Sequence, residues 1–239
     1  MISAGMTETL RLLHLRGTPL LGDDCARVLG MDHVVVTLVV EDRATEQLWA
    51  SGETSASFDD LQFTLGEGPG PDTLRTRRPV LEQDVTAIPG DRWPALLPAA
   101  SHLPIRAVFC LPLSLGGITI GILTVLRSAP GPMTGQQMDD ALALAKALTL
   151  EFLGGAGMQL VSWTDEQPGG ELHRAVVHQA TGMLSVQLGL PLAQALLRLR
   201  AYAYGHDRSI VEAAQDIVSR RLRLDHDRPE PGAPDETSG

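Results

Sequence analysis

Apolar residues in the first 150 positions follow two different spacings, which predict helices at both ends and strands between them. Helical spacing occurs at 8–15, at 20–29 and in a long Ala/Leu-rich stretch at 135–152. β-branched runs predict strands at 33–41, around 47–50, and at 79–82, 105–113 and 118–126. Helical spacing between some of these runs predicts shorter helices at 72–77 and 92–101. Antiparallel strands between helices predict an α+β domain over 5–153, in which helices cover the sheet.

One uncharged stretch, residues 107–126, is long enough to span a bilayer. Pro112 and the pair Gly116-Gly117 divide it into two runs rich in β-branched residues. This pattern is typical of two buried strands joined by a glycine turn. We therefore predict a hairpin here and no membrane helix.

The second half of the chain has a different organisation. Residues 154–170 hold five glycines and one proline, which predicts a linker. Helical periodicity then predicts an all-α domain of three amphipathic helices over 171–224. The acidic, proline-rich stretch 225–239 is predicted to be a disordered tail.

Charge separates the two predicted domains. Residues 171–224 contain seven Arg and four acidic residues, a balance of +3, whereas the whole chain is −10, so the rest carries −13. A basic helical module on an acidic body is typical of a nucleic-acid-binding output domain.

The cysteine count and the N-terminal sequence indicate the cellular compartment. The only cysteines, Cys25 and Cys110, are too few and too far apart for a zinc site or a disulfide framework, which indicates a reducing compartment. The N-terminus lacks the pattern of a secretion signal. We expect a cytoplasmic protein without a membrane partner.

Several motifs of the first domain resemble those of GAF domains from actinobacterial regulators. They are Leu65-Gly66-Glu67-Gly68-Pro69, Arg78-Pro79-Val80-Leu81, Arg92-Trp93-Pro94 and Arg106-Ala107-Val108-Phe109 with Leu111-Pro112-Leu113. The resemblance covers most of 5–153. It implies a sensory or dimerisation domain that receives an unidentified small-molecule or protein input.

Residues 171–224 resemble an ANTAR domain, the RNA-binding module of transcription antitermination regulators. The family pattern Ala-x-Gly-x-Leu falls on Ala180, Gly182 and Leu184. The later motifs fall, with their spacing kept, on Ala195, Leu196, Leu199, Arg200 and Ala203, and on Ile210, Ala213, Ala214, Ile217 and Val218. The resemblance implies a homodimer that binds an RNA hairpin and favours an antiterminator over a terminator.

Arginine and tyrosine side chains beside the core of the second helix are candidates for RNA contact. Arg198 and Tyr202 are i,i+4 neighbours on one side, and Arg200 and Tyr204 on the other. Each pair offers a cation for phosphate and a ring on which an unpaired base stacks, although such pairs also occur on ordinary helices. The candidate RNA-binding residues are Arg174, Thr181, Arg198, Arg200, Tyr202, Tyr204, Arg208 and Arg220.

Each of the three helices has a predicted buried stripe. The first stripe is Leu172, Val176, Met183 and Val186, with Thr181 and Arg174 pointing away; the second is Leu192, Ala195, Leu196, Leu199 and Ala203; the third is Ile210, Ala213, Ala214 and Ile217. Gly182 is costly inside a helix, which indicates a close approach by another helix or by RNA backbone.

No catalytic constellation is recognisable. Gly-x-Ser-x-Gly, Walker-loop and His-Glu-x-x-His motifs are missing, and His173 and His178 are too far apart around a helix to share a metal. The glycines of 66–70 favour a structural turn over an anion site. We expect a regulator and not an enzyme, without cofactor or metal; the alternative is a DNA-binding or protein-docking regulator.

Overall fold

The protein is described by a computed structural model that covers residues 1–16, 22–39, 45–154, 174–206 and 208–224. The chain divides into two compact units, Met1–Ala175 and Val176–Gly239. Most of the predicted linker, 155–170, and the whole predicted tail, 225–239, lie outside the described residues.

The first unit contains a five-stranded sheet with helices before, between and after its strands. In chain order the elements are α1 (Ala4–Arg16), α2 (Gly22–Leu29), β1 (His33–Val39), β2 (Thr45–Ala50), α3 (Glu53–Leu65), α4 (Pro69–Thr76), β3 (Val80–Glu82), a 3₁₀ turn (Val85–Ala87), α5 (Leu96–Ala99), a second 3₁₀ turn (Ala100–His102), β4 (Ala107–Leu115), β5 (Ile118–Arg127) and α6 (Gly135–Leu153).

The strands form one antiparallel sheet in the order β2-β1-β5-β4-β3. β5 is central, and pairs Val125 with Val34 of β1 on one side and with Phe109 of β4 on the other. This arrangement confirms the predicted fold class. It also confirms that 107–126 is a hairpin, with Leu115 opposite Ile118 and Gly116 in the left-handed conformation (φ 59°) that the turn requires.

Both faces of the sheet are apolar, and each is covered by a different set of helices. Alternate residues of β4 separate the two cores, because Phe109 faces one side and Cys110 the other. α1, α2 and α6 cover the first face, where Met6, Leu29 and Leu144 are buried. The opposite face carries α3, α4 and α5, with Phe58, Trp93 and Leu96 in its core.

Two helices of the second face differ from the sequence-based prediction. The pattern predicted no element over 51–65, yet α3 occupies Glu53–Leu65, because its buried side includes the polar residues Ser55, Asp59 and Gln62 and so lacks an apolar stripe. The helix predicted at 92–101 is wrong in extent. Only Leu96–Ala99 is α-helical.

The long helix α6 confirms the prediction for 135–152 and begins at a capping box. Thr134 Oγ1 accepts a hydrogen bond from Gln137 N at 3.2 Å, and Gln137 Oε1 accepts one from Thr134 N at 2.9 Å. These bonds satisfy two donors that a helix start would otherwise leave unpaired.

The C-terminal region contains three helices, as predicted: α7 (Ala175–Leu188), α8 (Leu192–Gly205) and α9 (Ile210–Val218). Gly189, at φ 58°, ends α7, and Leu190 N donates to Ser185 O at 3.1 Å. Ser209 caps α9, because its Oγ accepts a hydrogen bond from Val211 N at 3.2 Å.

We predict that Gly121→Ala destabilises the sheet, whereas Gly117→Ala does not. A Cβ at Gly121 would lie 2.4 Å from the Thr37 carbonyl oxygen of β1, while a Cβ at Gly117 meets nothing within 4 Å. Such crowding costs roughly 1–3 kcal/mol in a packed core. Urea unfolding measures both variants; equal stabilities would contradict this account of the β1–β5 contact.

Candidate nucleic-acid interface

The buried side of α7 is not the one that the sequence pattern predicted. Val177, Ala180, Leu184 and Leu188 are buried, whereas Val186 is 86% exposed. α7 contains no Asp, Glu, Lys or Arg, and apolar residues lie on both of its sides. The spacing therefore did not determine which side faces the core. The predicted stripe is wrong, because Val176 and Met183 are only half-buried and Val186 is exposed, while its fourth member, Leu172, lies outside the described residues.

Two of the candidate RNA-binding side chains are buried. The Arg174 side chain is only 1% exposed, and its guanidinium binds Asp59 within the first unit. Thr181 is 6% exposed, and its hydroxyl donates to Val177 O at 2.7 Å. Neither side chain is available to RNA in this structure, so both are removed from the candidate interface.

α8 presents a mixed cationic and aromatic surface opposite its core. Ala195, Leu199 and Ala203 are buried as predicted, although Leu192 is exposed. On the outer side, Leu197 and Tyr204 are 64% and 63% exposed. They are one heptad apart, and the half-buried Arg200 lies between them in the sequence.

Arg198 is exposed on the other flank of α8, one turn before Tyr202. The half-buried Tyr202 ring stacks on His206, with ring centroids 4.0 Å apart and 23° between the planes. Sequence analysis missed His206. Its i,i+4 spacing from Tyr202 was the signal that would have identified it.

An acidic residue organises the arginines at the start and end of α9. Asp216 accepts a hydrogen bond from Arg208 Nη2 at 2.7 Å and another from Arg221 Nε at 2.8 Å. These bonds, that of Arg208 first, lower the pKa of Asp216, so the carboxylate stays ionised and neutralises part of the basic surface. Arg221 was not among the candidate residues.

Arg220 is exposed at the end of α9, in the left-handed conformation with φ 60°. Its backbone N donates to Ile217 O at 2.9 Å, which closes the turn that ends the helix. The predicted core of α9 is confirmed, because Ile210, Ala213, Ala214 and Ile217 are all buried.

Gly182 faces open space in the described part of the chain, where a Cβ built on it meets no heavy atom within 4 Å. No described helix therefore packs closely on this glycine, so the interpretation of a close helix–helix contact is wrong for the described residues. Close contact with RNA backbone, the other interpretation, stays a prediction.

The first unit holds a cavity of about 400 Å³ between the sheet and the α3–α5 face. Its lining is mainly apolar and includes Phe58, Ile88, Trp93, Leu96, Leu103, Ile105 and Val108, while Thr86, Ser101, Arg106 and Ser128 supply polar groups. A cavity of this kind suits a small, mostly apolar molecule that has one or two hydrogen-bonding groups.

One side of this cavity is fixed by an ion pair. Arg106 Nη2 donates to Asp84 Oδ2 at 3.0 Å, and Asp84 Oδ1 also accepts from Thr86 N at 3.0 Å. The Arg106 hydrogen bond, helped by Thr86, lowers the pKa of Asp84 to about 2.

The glycine-rich turn beside the cavity is structural, as the sequence favoured. Glu67 Oε1 accepts hydrogen bonds from the backbone N–H groups of Ala95 and Leu96, both at 2.6 Å, at the start of α5. Gly70 N donates to Gln62 Oε1 at 2.7 Å, which occupies a donor that an anion would need. Gly68 (φ 129°) leaves no room for a Cβ, which would lie 2.7 Å from Leu96.

The described residues include neither a reactive thiolate nor a cluster of metal ligands. Burial raises the pKa of both thiols, Cys25 and Cys110, to about 12, so they stay protonated near neutral pH. Among the described residues, no group of three or more His, Cys, Asp or Glu side chains is placed to hold a metal ion.

Two family models match this chain. One, described as the GAF domain, matches residues 19–149, which is more than half of the sequence. The chain belongs to the GAF domain family. The other, described as the ANTAR domain, matches residues 172–218 and places α7, α8 and α9 in that domain.

Solved structures share the fold of the GAF domain. A GAF domain from a phosphoenolpyruvate-protein phosphotransferase of Coxiella burnetii has a TM-score of 0.51 at 15% identity, covering 66% of this chain and 99% of its own. The GAF domain from the Acinetobacter phosphoenolpyruvate-protein phosphotransferase has a TM-score of 0.50 at 13% identity, covering 66% and 98%. A search of curated proteins finds no match.

Within the described ranges, no single helix is both long and apolar enough to cross a membrane. One pair, Ala175–Leu188 with Leu192–Gly205, reaches the required length and composition only when taken together across a 108° bend.

We predict that Gly182→Ala stabilises the ANTAR domain by about 1 kcal/mol, because alanine favours the helix and meets no neighbour. Gly189→Ala is the matched control at the end of the same helix. Its φ of 58° makes a side chain unfavourable, so that variant should lose about 1 kcal/mol. Urea denaturation followed by circular dichroism measures both; destabilisation by Gly182→Ala would reveal a close neighbour there.

We also predict a pH-dependent effect of Asp84→Asn. The folded pKa of about 2 is below the usual value, so the Asp84 carboxylate stabilises the fold fully above about pH 4 and stops doing so as the pH falls towards 2. The difference in unfolding free energy between wild type and variant should be constant from neutral pH to about 4.5 and shrink below that. A constant difference down to pH 2 would contradict this assignment.

Proposed function

We propose that this GAF–ANTAR protein is a cytoplasmic transcription antitermination regulator. Its ANTAR domain binds an RNA hairpin and favours an antiterminator structure, and its GAF domain controls when it does so. The observation that carries the proposal is the exposure of Tyr204 and Arg198 on α8, a helix that lies within the ANTAR match.

The chemistry of this surface suits unpaired nucleotides better than duplex grooves. An exposed phenol ring offers a face on which a splayed base stacks, and a guanidinium pairs with phosphate in a bidentate manner. The RNA-contacting residues in the proposal are Arg198, Arg200, Tyr202, Tyr204, Arg208 and Arg220, with His206 added because its ring extends the stack on Tyr202.

The cavity supports a sensory role for the GAF domain. Its mainly apolar lining and its polar edge at Arg106 fit a small organic input. We propose no enzymatic activity, because both thiols are buried and protonated and the cavity is built for contact with apolar groups. We also propose that the protein acts as a homodimer, so that paired ANTAR domains meet paired hairpins.

Exposed apolar side chains favour a second candidate, a regulator that docks on another protein. Val186, Leu197 and Leu192 are all exposed on the helices of the ANTAR match. Large exposed apolar side chains that lie together are typical of protein interfaces. This reading predicts that Tyr204 and its neighbours contribute nothing to nucleic-acid affinity.

We expect Tyr204→Ala to weaken binding of a stem-loop RNA, selected in vitro on the full-length chain, by about tenfold or more, because stacking of a base on an aromatic ring contributes roughly 1–3 kcal/mol. Tyr204→Phe is the matched control, since it keeps the ring and should bind within about threefold of wild type. Fluorescence anisotropy measures both affinities, and circular dichroism checks the fold. Unchanged affinity of Tyr204→Ala would favour the protein-docking candidate.

A further inference from the structure

Arg174 is a buried cation surrounded by acidic residues of the first compact unit, to which it belongs. Its Nη2 donates to Asp59 Oδ2 at 2.8 Å and to Asp60 Oδ1 at 3.1 Å. Its backbone N donates to Glu46 Oε2 at 3.2 Å, and its guanidinium lies 4.1 Å from the centre of the Phe63 ring. This one arginine is therefore held by carboxylates, a main-chain contact and a cation–π contact at once.

The partners of Arg174 depend on it electrostatically. Asp59 is buried, and burial raises its pKa even though the Arg174 charge and the Thr37 hydroxyl act in the opposite direction. Removing one member of a buried ion pair leaves the other charged group without compensation. The ion pair is therefore stable while Arg174 and Asp59 are in contact. Separating them inside the protein costs free energy, because each charge is then buried without a partner.

Helix α3 connects this ion pair to the cavity. Phe58 lines the cavity, and the next residue, Asp59, binds Arg174 and also accepts a hydrogen bond from Thr37 of β1 at 3.0 Å. A molecule that fills the cavity contacts Phe58 directly. Any displacement of α3 that follows changes the position of the Asp59 carboxylate, because the two residues are adjacent on one helix.

Arg174 lies in the sequence where the ANTAR match begins. It immediately precedes α7 and lies inside the ANTAR match at 172–218, although its contacts are with the GAF domain. While the ion pair holds, the first described residue of the ANTAR match is fixed to α3, and its guanidinium is withheld from any phosphate.

We infer that the Arg174–Asp59 ion pair is an autoinhibitory latch. While the ion pair is formed, it fixes the beginning of the ANTAR domain to α3 and lowers the affinity for RNA. A molecule that binds in the cavity beside Phe58 breaks the ion pair, which releases the start of α7 and exposes the Arg174 charge. The latch rests on the proposed function, because its output is RNA binding.

Asp59→Asn in the full-length chain tests the latch, since the amide keeps the shape of Asp59 and removes the buried carboxylate that pairs with Arg174, whereas the carboxylate that remains, Asp60, is partly exposed. We expect the backbone amides at the start of α7 to exchange hydrogen at least about tenfold faster, and the selected stem-loop RNA to bind about tenfold more tightly. Hydrogen-exchange mass spectrometry and fluorescence anisotropy measure the two effects. Asp24→Asn, which breaks the exposed ion pair with Arg27, is the control and should change neither.

The two readouts separate the latch from the proposed function. Unchanged exchange at the start of α7 overturns the latch, whether or not RNA binds. Faster exchange with no RNA binding by any variant supports the attachment of Arg174 to α3 and overturns the proposed function. Faster exchange with RNA affinity equal to that of wild type overturns the latch as a control on binding.

A double variant keeps the test decisive if Asp59→Asn alone fails to fold. Asp59→Asn combined with Arg174→Met removes both charges of the buried pair together and leaves the partly exposed Asp60 to be solvated, so it should fold, and it still lacks the ion pair. The latch predicts the same faster exchange in this variant. Wild-type exchange rates in the folded double variant would overturn it.

Discussion

A sheet that is apolar on both faces must be covered on both, and this constraint shapes the GAF domain. α1, α2 and α6 fill one face with a closely packed core. The other face is covered by α3, α4 and α5 together with short turns, and these leave a cavity of about 400 Å³. α3 borders the cavity and also carries Asp59, which binds Arg174 immediately before α7. This helix therefore links a space for a small molecule to Arg174.

The strands and the long helix could be predicted from the sequence because their buried residues are apolar and regularly spaced. β4, β5 and α6 lie within about two residues of the predicted positions. α3 could not, because Ser55, Asp59 and Gln62 face inwards and find hydrogen-bond partners outside their own helix, Thr37 for Asp59 and Gly70 for Gln62. A pattern of apolar spacing contains no information about such partners.

The candidate interface shows a similar division. The cores of α8 and α9 followed from apolar spacing, whereas the buried side of α7 did not, because that helix has no charged residue to mark its exposed side. Arg174, one of the seven arginines counted over 171–224, is buried against Asp59 and Asp60 of the first unit and so does not contribute to the exposed basic surface. Counting arginines identified the nature of the surface, and only the three-dimensional contacts identified which of them reach solvent.

The central claim is that the ANTAR domain recognises unpaired bases in an RNA hairpin, and competition binding tests it most directly. The full-length chain, bound to its selected stem-loop, is challenged with the same hairpin carrying altered loop bases, with the fully paired RNA duplex and with duplex DNA of the same sequence. The account predicts that only the unaltered hairpin competes efficiently. Equal or better competition by duplex DNA would contradict it.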